Sequence, residues 1–178
     1  MAQIILISGI PGSGKTTVSL ALAKHFKRLA LIEGDVIQHV LTFRGCVGPM
    51  ADPTPECERQ YRLRWQNCLS LAKNFYDEGF TVILEQVAEP KWIEWFRDHL
   101  AGRTLSVITL LPRVEVALAR DRDRQGKTVA ERYTFLDDRL RRGRLGYHLD
   151  TSELTVTQTV ERILQEGIAL GRLESEEI

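Results

Sequence analysis

The residues Gly9-Ile10-Pro11-Gly12-Ser13-Gly14-Lys15-Thr16 fit the pattern G-x-x-x-x-G-K-[ST]. An apolar run, Ile4 to Ser8, precedes them, and a helical pattern over about 15–26 follows. That strand, loop and helix is the context in which the pattern forms a phosphate-binding P-loop. Its glycines let the main chain approach a phosphate closely. The N–H groups of Gly12, Ser13, Gly14, Lys15 and Thr16 converge on phosphate oxygens, with Thr17 next to them at the positive end of the helix. Lys15 bridges the β- and γ-phosphates, and the Thr16 hydroxyl holds Mg²⁺. The expected ligands are therefore a nucleoside triphosphate, taken as ATP, and Mg²⁺.

The elements that must position this loop follow from periodicity. Apolar runs at Ile4–Ser8, Leu29–Glu33, Phe80–Glu85 and Leu105–Leu110 read as strands covered on both faces, with a weaker fifth at Tyr147–Asp150. Helical patterns lie between them, over about 15–26, 55–78, 90–100, 112–125 and 129–142. A last helix starts at Thr155, whose spacing to Gln158 is that of a capping box. Such alternation predicts βαβ crossovers and a parallel sheet. Residues 43–56 are rich in Gly and Pro and read as a loop. The charged stretch 120–132 reads either as a mobile lid or as a solvated helix end. The acidic terminus reads as a flexible tail.

Composition narrows the classes. The chain has 178 residues, suited to one domain, and a net charge of zero. The charge balance argues against nucleic acid or an anionic membrane as a partner. No apolar run is long enough to span a bilayer, and the first ten residues lack a signal-peptide pattern. The three cysteines, Cys46, Cys57 and Cys68, show no C-x-x-C spacing, which suits a reducing cytoplasm better than a disulfide framework. Cys57 and Cys68 share a helix face with Tyr61, Trp65, Ala72 and Phe75, a stripe that reads as core.

Other P-loop classes lose ground on motifs. There is no N-K-x-D for reading guanine and no L-S-G-G-Q of a transporter ATPase. Asp123-Arg124-Gln125-Gly126 matches D-x-x-G but follows an arginine-rich helix rather than a strand. The chain is short for an AAA-type motor with a helical lid domain.

What remains resembles the small P-loop metabolite and antibiotic kinases: gluconate kinase, shikimate kinase, chloramphenicol phosphotransferase and the tunicamycin-resistance proteins. The likeness covers about residues 3–166. It rests on "GIPGSGKTT", "LIEGD", "VALARDRDRQGK" and "HLDTSELTVTQTVERIL". The resemblance implies a three-layer α/β fold with a parallel five-stranded sheet in order 2-3-1-4-5. Residues 1–178 would form one domain, with a small lid at about 121–133 and a flexible tail at 172–178. It implies transfer of the γ-phosphate of ATP to a hydroxyl of a small molecule in the cytoplasm, by a monomer or homodimer.

Site residues follow from the same resemblance. Asp35, just past the second strand, faces the acceptor hydroxyl as general base, a role compatible with N-capping the next helix. Glu33 is the second choice. In R-x-x-x-R, Arg120 stacks on adenine and Arg124 meets the transferring phosphate; Arg122, with Asp121 and Asp123, reads as a surface ion pair. Lys127 and Arg132 are further lid cations. Glu85 stands where relatives carry an aspartate that holds Mg²⁺ through water. Three readings stay open for it: Mg²⁺-water, acceptor contact, or a buried satisfied carboxylate.

The acceptor pocket would draw on Asp35, the 43–56 loop, Arg59 or Arg62 to Arg64, and Gln86 to Trp92. Trp65, Trp92 and Trp95 suggest a ring-bearing acceptor or simply core. Two other classes stay open. One is a polynucleotide 5′-hydroxyl kinase, suggested by Arg139, Arg141, Arg142 and Arg144. The other is a nucleotide-dependent switch without an acceptor.

Overall fold

The computed structural model describes residues 2–42, 45–46, 52–123 and 129–174. The apolar runs form β1 (Ile4–Ser8), β2 (Leu29–Glu33), β3 (Thr81–Glu85), β4 (Leu105–Leu110) and β5 (Tyr147–Leu149). All five are parallel, in the expected order β2-β3-β1-β4-β5. A sixth strand, β6 (Arg172–Leu173), joins the start of β4 antiparallel. This corrects both the five-strand count and the tail, since residues 172–173 belong to the sheet. Two residues are too few to leave a periodic signal, so the strand is invisible before its partner is known.

β1 lies at the centre and is wholly buried. Its alternating side chains divide the molecule into three layers. Ile4 and Leu6 face a core with Trp65, Cys68, Ile93 and Phe96, contributed by α3 (Pro55–Asp77) and α4 (Pro90–Asp98). Ile5 and Ile7 face the opposite core with Val18, Leu22, Val160 and Ile163. These come from α1 (Lys15–Ala23), α7 (Val156–Arg162) and the π-turn that continues α7. Thr155 caps α7 through the expected capping box with Gln158.

A third cluster sits beyond the carboxyl end of β1. Ile10, Val87, Leu111 and Ala117 meet Tyr133, Leu136 and Leu140 there. The last three come from a 3₁₀ turn (Ala130–Tyr133) and from α6 (Thr134–Arg142), which pack against Ala117 of α5 (Val114–Arg122). Among the described residues no helix is long and apolar enough to cross a membrane.

Cys46 and Cys57 are joined by a disulfide, with Cα atoms 5.3 Å apart. This corrects the reading of three free thiols. The spacing of eleven residues hides the pairing, because no periodic pattern in the sequence brings Cys46 beside Cys57. Cys68 is the buried free cysteine, its thiol pushed up to about 12 by burial. Tyr61, Trp65, Cys68 and Ala72 form the expected buried stripe, while Phe75 at its end is part-exposed.

Candidate active site

The P-loop runs from β1 into α1. Gly14, with φ of 92°, precedes the first helical residue. Gly12 also has positive φ, and a Cβ there would collide with the Ala117 carbonyl of α5. The loop is therefore pinned against α5, so glycine at 12 is a steric requirement. Lys15 is buried, and its Nζ donates to the Ile10 carbonyl at 3.1 Å, folding the cation over the loop.

Thr16 Oγ1 donates to Glu85 Oε2 at 3.2 Å. The P-loop hydroxyl and the end of β3 thus meet, as the metal reading of Thr16 and Glu85 requires. Glu85 is buried, and burial is the main cause holding its carboxyl above the usual range. Lys15 and the Thr16 hydroxyl pull the other way, whereas Asp35 and Glu33 push it further up. Glu33 pairs in register with Glu85 across β2 and β3, at the strand end expected for it. Two oxygen groups beside carboxylates that repel one another suit a hard cation such as Mg²⁺.

Asp35 lies in α2 (Gly34–Val36), in the turn directly after β2. The residue at the helix N-cap is Glu33, and no side chain caps the start, so the N-capping role considered for Asp35 is not realised. Its partner is Arg64 of α3, whose Nη1 is 3.2 Å away. That contact is an ion pair rather than an aligned hydrogen bond, for Nη1 has no hydrogen-bond acceptor. Arg64 Nε donates to Gln86 Oε1 at 2.9 Å, while the buried Gln86 Nε2 has no partner. Gly34 makes room for this arrangement, because a Cβ there would lie 2.5 Å from Gln86 Oε1 and 2.8 Å from Arg64 Nε.

The arginine candidates therefore separate. Arg64 is buried beside Asp35, Arg62 is exposed, and Arg59 is exposed and paired with Glu56. Trp65 stacks on Trp92 with centroids 5.8 Å apart, and Trp92 meets Tyr61 and Trp95 edge-on. The tryptophans pack on one another in the α3–α4 layer, which favours the core reading for them.

On the nucleotide side, Arg120 Nη2 donates to the Thr151 carbonyl at 2.9 Å. This fixes the guanidinium between α5 and the loop after β5, a segment held by Asp150–Ser152 hydrogen bonds. Arg124 and Lys127 lie outside the described residues. Asp121 is not a surface residue as expected: it is 2 % exposed. Its Oδ2 accepts from Val129 N–H at 2.7 Å and Ala130 N–H at 2.8 Å, tying both stems of the charged segment together. Arg122 and Asp123 are exposed, as is Arg132 on the returning turn.

Tyr133 was not singled out by the sequence. It is buried in that turn, and its hydroxyl is raised by burial first and by the Asp35 charge second, with Arg64 opposing. Its place near Asp35 and Arg64 depends on tertiary packing and leaves no local sequence signal. Arg139, Arg141 and Arg142 are paired with Glu89, Asp137 and Asp138. Three of the four arginines of the basic cluster are thus taken up by ion pairs, two of them within α6 and that of Arg139 with Glu89.

A family model described as an AAA domain, AAA_18, matches residues 5–140, more than half of the chain. The chain belongs to this family. Its AAA_18 match takes in the P-loop, the Asp35–Arg64 pair, Glu85 and the stem held by Asp121. A cytidylate kinase of Methanococcoides burtonii is 27% identical over 110 residues. The match covers 60% of this chain and 62% of that relative's length. A sugar kinase from Janibacter sp. HTCC2649 superposes with a TM-score of 0.69 at 20% identity, covering 95% of this chain and 96% of that one. The tunicamycin resistance protein of Deinococcus radiodurans gives 0.65 at 21%, covering 96% and 99%. The AAA_18 chain therefore has the fold of the small P-loop kinases, as its motifs implied.

Proposed function

We propose that the protein is an ATP-dependent phosphotransferase that moves the γ-phosphate to a hydroxyl of a small molecule, a metabolite or an antibiotic. One observation carries this reading. The phosphate loop and an acceptor-type pair, Asp35 with buried Arg64, open at the same carboxyl edge of the sheet, on either side of Glu85. Ligands of open α/β sheets bind at that edge. The relatives and structural neighbours, which include a cytidylate kinase, a sugar kinase and a shikimate kinase, support a small-molecule acceptor.

The roles follow from the geometry. The backbone of Gly12 to Thr16, with Thr17, cradles the phosphates, and Lys15 supplies a fixed charge beside the transferring group. Thr16 and Glu85 would hold Mg²⁺, which when bound neutralises charge on the β- and γ-phosphate oxygens. Arg120 borders the adenine position. Arg64 holds Asp35 in place, and Asp35 orients the acceptor hydroxyl and accepts its proton as the P–O bond forms. Arg124 remains the proposed phosphate-contacting arginine of the lid.

The test is an ATP-consumption screen with sugars, aminocyclitols, nucleosides, nucleotides and antibiotics as acceptors, run on the wild type and on Asp35→Asn. Acceptor-stimulated turnover that is lost in Asp35→Asn is expected. ATP turnover that no acceptor changes would instead mark a nucleotide-dependent switch.

A further inference from the structure

Residue 46 is held between the two elements that carry the acceptor pair. The buried Gln38, in the π-turn (Ile37–Leu41) that continues α2, donates from Nε2 to the Cys46 carbonyl at 2.6 Å. The Cys46 N–H donates to Gln60 Oε1 of α3 at 2.7 Å. Cys57 sits in the first turn of α3, its N–H capped by Thr54. The Cys46–Cys57 bond therefore fastens the π-turn to α3 through residue 46 and its hydrogen bond from Gln38. Asp35 is one turn before Gln38, and Arg64 is about two turns beyond Cys57, roughly 10 Å along the helix axis. Through the Gln38–Cys46 hydrogen bond the disulfide ties to α3 the same stretch, α2 with its π-turn, that the Asp35–Arg64 pair ties to it. Neither cysteine is fully buried, so a small thiol has access to the bond.

We propose that Cys46 and Cys57 form a thiol–disulfide exchange site that sets how firmly the acceptor-side turn is seated on α3. Its exchange partner is a low-molecular-weight disulfide or thiol of the glutathione type. The acceptor role of that turn rests on the kinase reading; the exchange chemistry does not. In the oxidising direction one protein thiolate attacks the small disulfide, forming a mixed disulfide and releasing one small thiol. The second protein thiolate then attacks the protein sulfur of that mixed bond and releases the second small thiol. Two protein thiols give up two electrons and two protons, and the small disulfide takes them up. In the reduced chain, residue 46 is left with the Gln38 and Gln60 hydrogen bonds. The π-turn then opens more often, while the P-loop, across β3 and β1, keeps its contacts.

The full chain is equilibrated in reduced and oxidised glutathione buffers, alkylated with iodoacetamide, and mapped by peptide mass. Cys46 and Cys57 are expected to label in the reduced buffer and to be protected in the oxidised one. Cys68, buried with its thiol raised, stays unlabelled in both. Amide exchange over residues 37–42 should be about tenfold or more faster in the reduced chain, with P-loop amides unchanged, as expected for local opening. Cys46→Ser and Cys57→Ser should each show the faster 37–42 amide exchange of the reduced chain even in oxidised buffer, with the remaining cysteine carrying a small-thiol mixed disulfide. Labelling of the pair in every buffer, or equal exchange over 37–42 in both states, overturns the proposal. A nucleotide titration on the same samples tests the kinase reading separately, because loss of ATP binding leaves the labelling and exchange results intact.

Discussion

Arg64 Nη1 lies 3.2 Å from Asp35 Oδ1, and the two side chains are unequally buried: 1% of Arg64 is exposed against 76% of Asp35. A guanidinium out of water needs its counter-charge, whereas an exposed carboxylate can face a ligand. The pair is therefore suited to present Asp35 outward on a fixed base. Asp35→Asn keeps the size and removes the charge. Transfer should fall by about 10²–10⁴-fold, as for a lost general base. The dissociative character of phosphoryl transfer places the effect toward the low end. ATP affinity should be unchanged in a nucleotide titration. Stability should fall by less than the roughly 3–5 kcal/mol of a fully buried broken pair, because Asp35 is largely in water. Full turnover in Asp35→Asn would leave it as Arg64's partner only and would turn attention to Glu33.

In the proposed kinase, Lys15 and Arg120 would serve the nucleotide in different ways, which makes their effects separable. Lys15→Ala removes a preorganised charge from the transferring group and should lower kcat by about 10²–10³-fold or more. Arg120 is tied to the Thr151 carbonyl and takes no part in the Thr16–Glu85 hydrogen bond. Arg120→Ala should chiefly raise the KM for ATP and leave kcat nearly intact. Steady-state kinetics at saturating acceptor decides it. Equal, small effects on both constants in Arg120→Ala would reduce it to a structural tie.

Asp121 shows where sequence reading stops. Flanked by arginines, it reads as half of a surface ion pair, because nothing local reveals that the chain returns to it eight residues later. Arg64 and Gln86 were within the expected acceptor region, but their hydrogen bond joins residues 22 positions apart and depends on packing of α3 over β3. The P-loop was legible because it is a continuous stretch whose meaning is set by its own backbone. β1, β3 and β4 were legible because burial on both faces demands unbroken apolar runs, whereas the edge strands β2 and β5 are only part-buried at alternate or most residues, less than their apolar runs suggested. The disulfide, β6 and the site of Tyr133 each depend on a non-local approach with no periodic signature.

The burial of Asp121 supports a stability prediction of its own. Asp121→Ala would leave the Val129 and Ala130 N–H groups without their acceptor. Each unsatisfied buried donor costs about 1–3 kcal/mol. For a chain of this size about 1 kcal/mol corresponds to a shift of about 2–4 °C in Tm. A fall of several degrees is expected by calorimetry, along with faster proteolysis near residues 122–133. An unchanged Tm would show that the stem is held by the Tyr133–Leu136–Leu140 packing alone.

Gly34→Ala probes the acceptor end without altering any charged group. Within a helix, alanine is ordinarily favoured over glycine by about 1 kcal/mol. Here the added Cβ would press on Gln86 Oε1 and Arg64 Nε, both held by their mutual hydrogen bond in a buried layer. Overpacking of this kind typically costs about 1–3 kcal/mol, enough to reverse the helix preference. The variant should melt below the wild type. If the displaced Arg64 no longer holds Asp35, acceptor-dependent turnover should fall by about tenfold or more, the size of a misplaced orienting group. Nucleotide affinity should stay within about twofold, because no part of the P-loop touches the change. A Gly34→Ala chain that melts higher than wild type and turns over normally would show that the Arg64–Gln86 layer yields freely, and that its geometry does not govern Asp35.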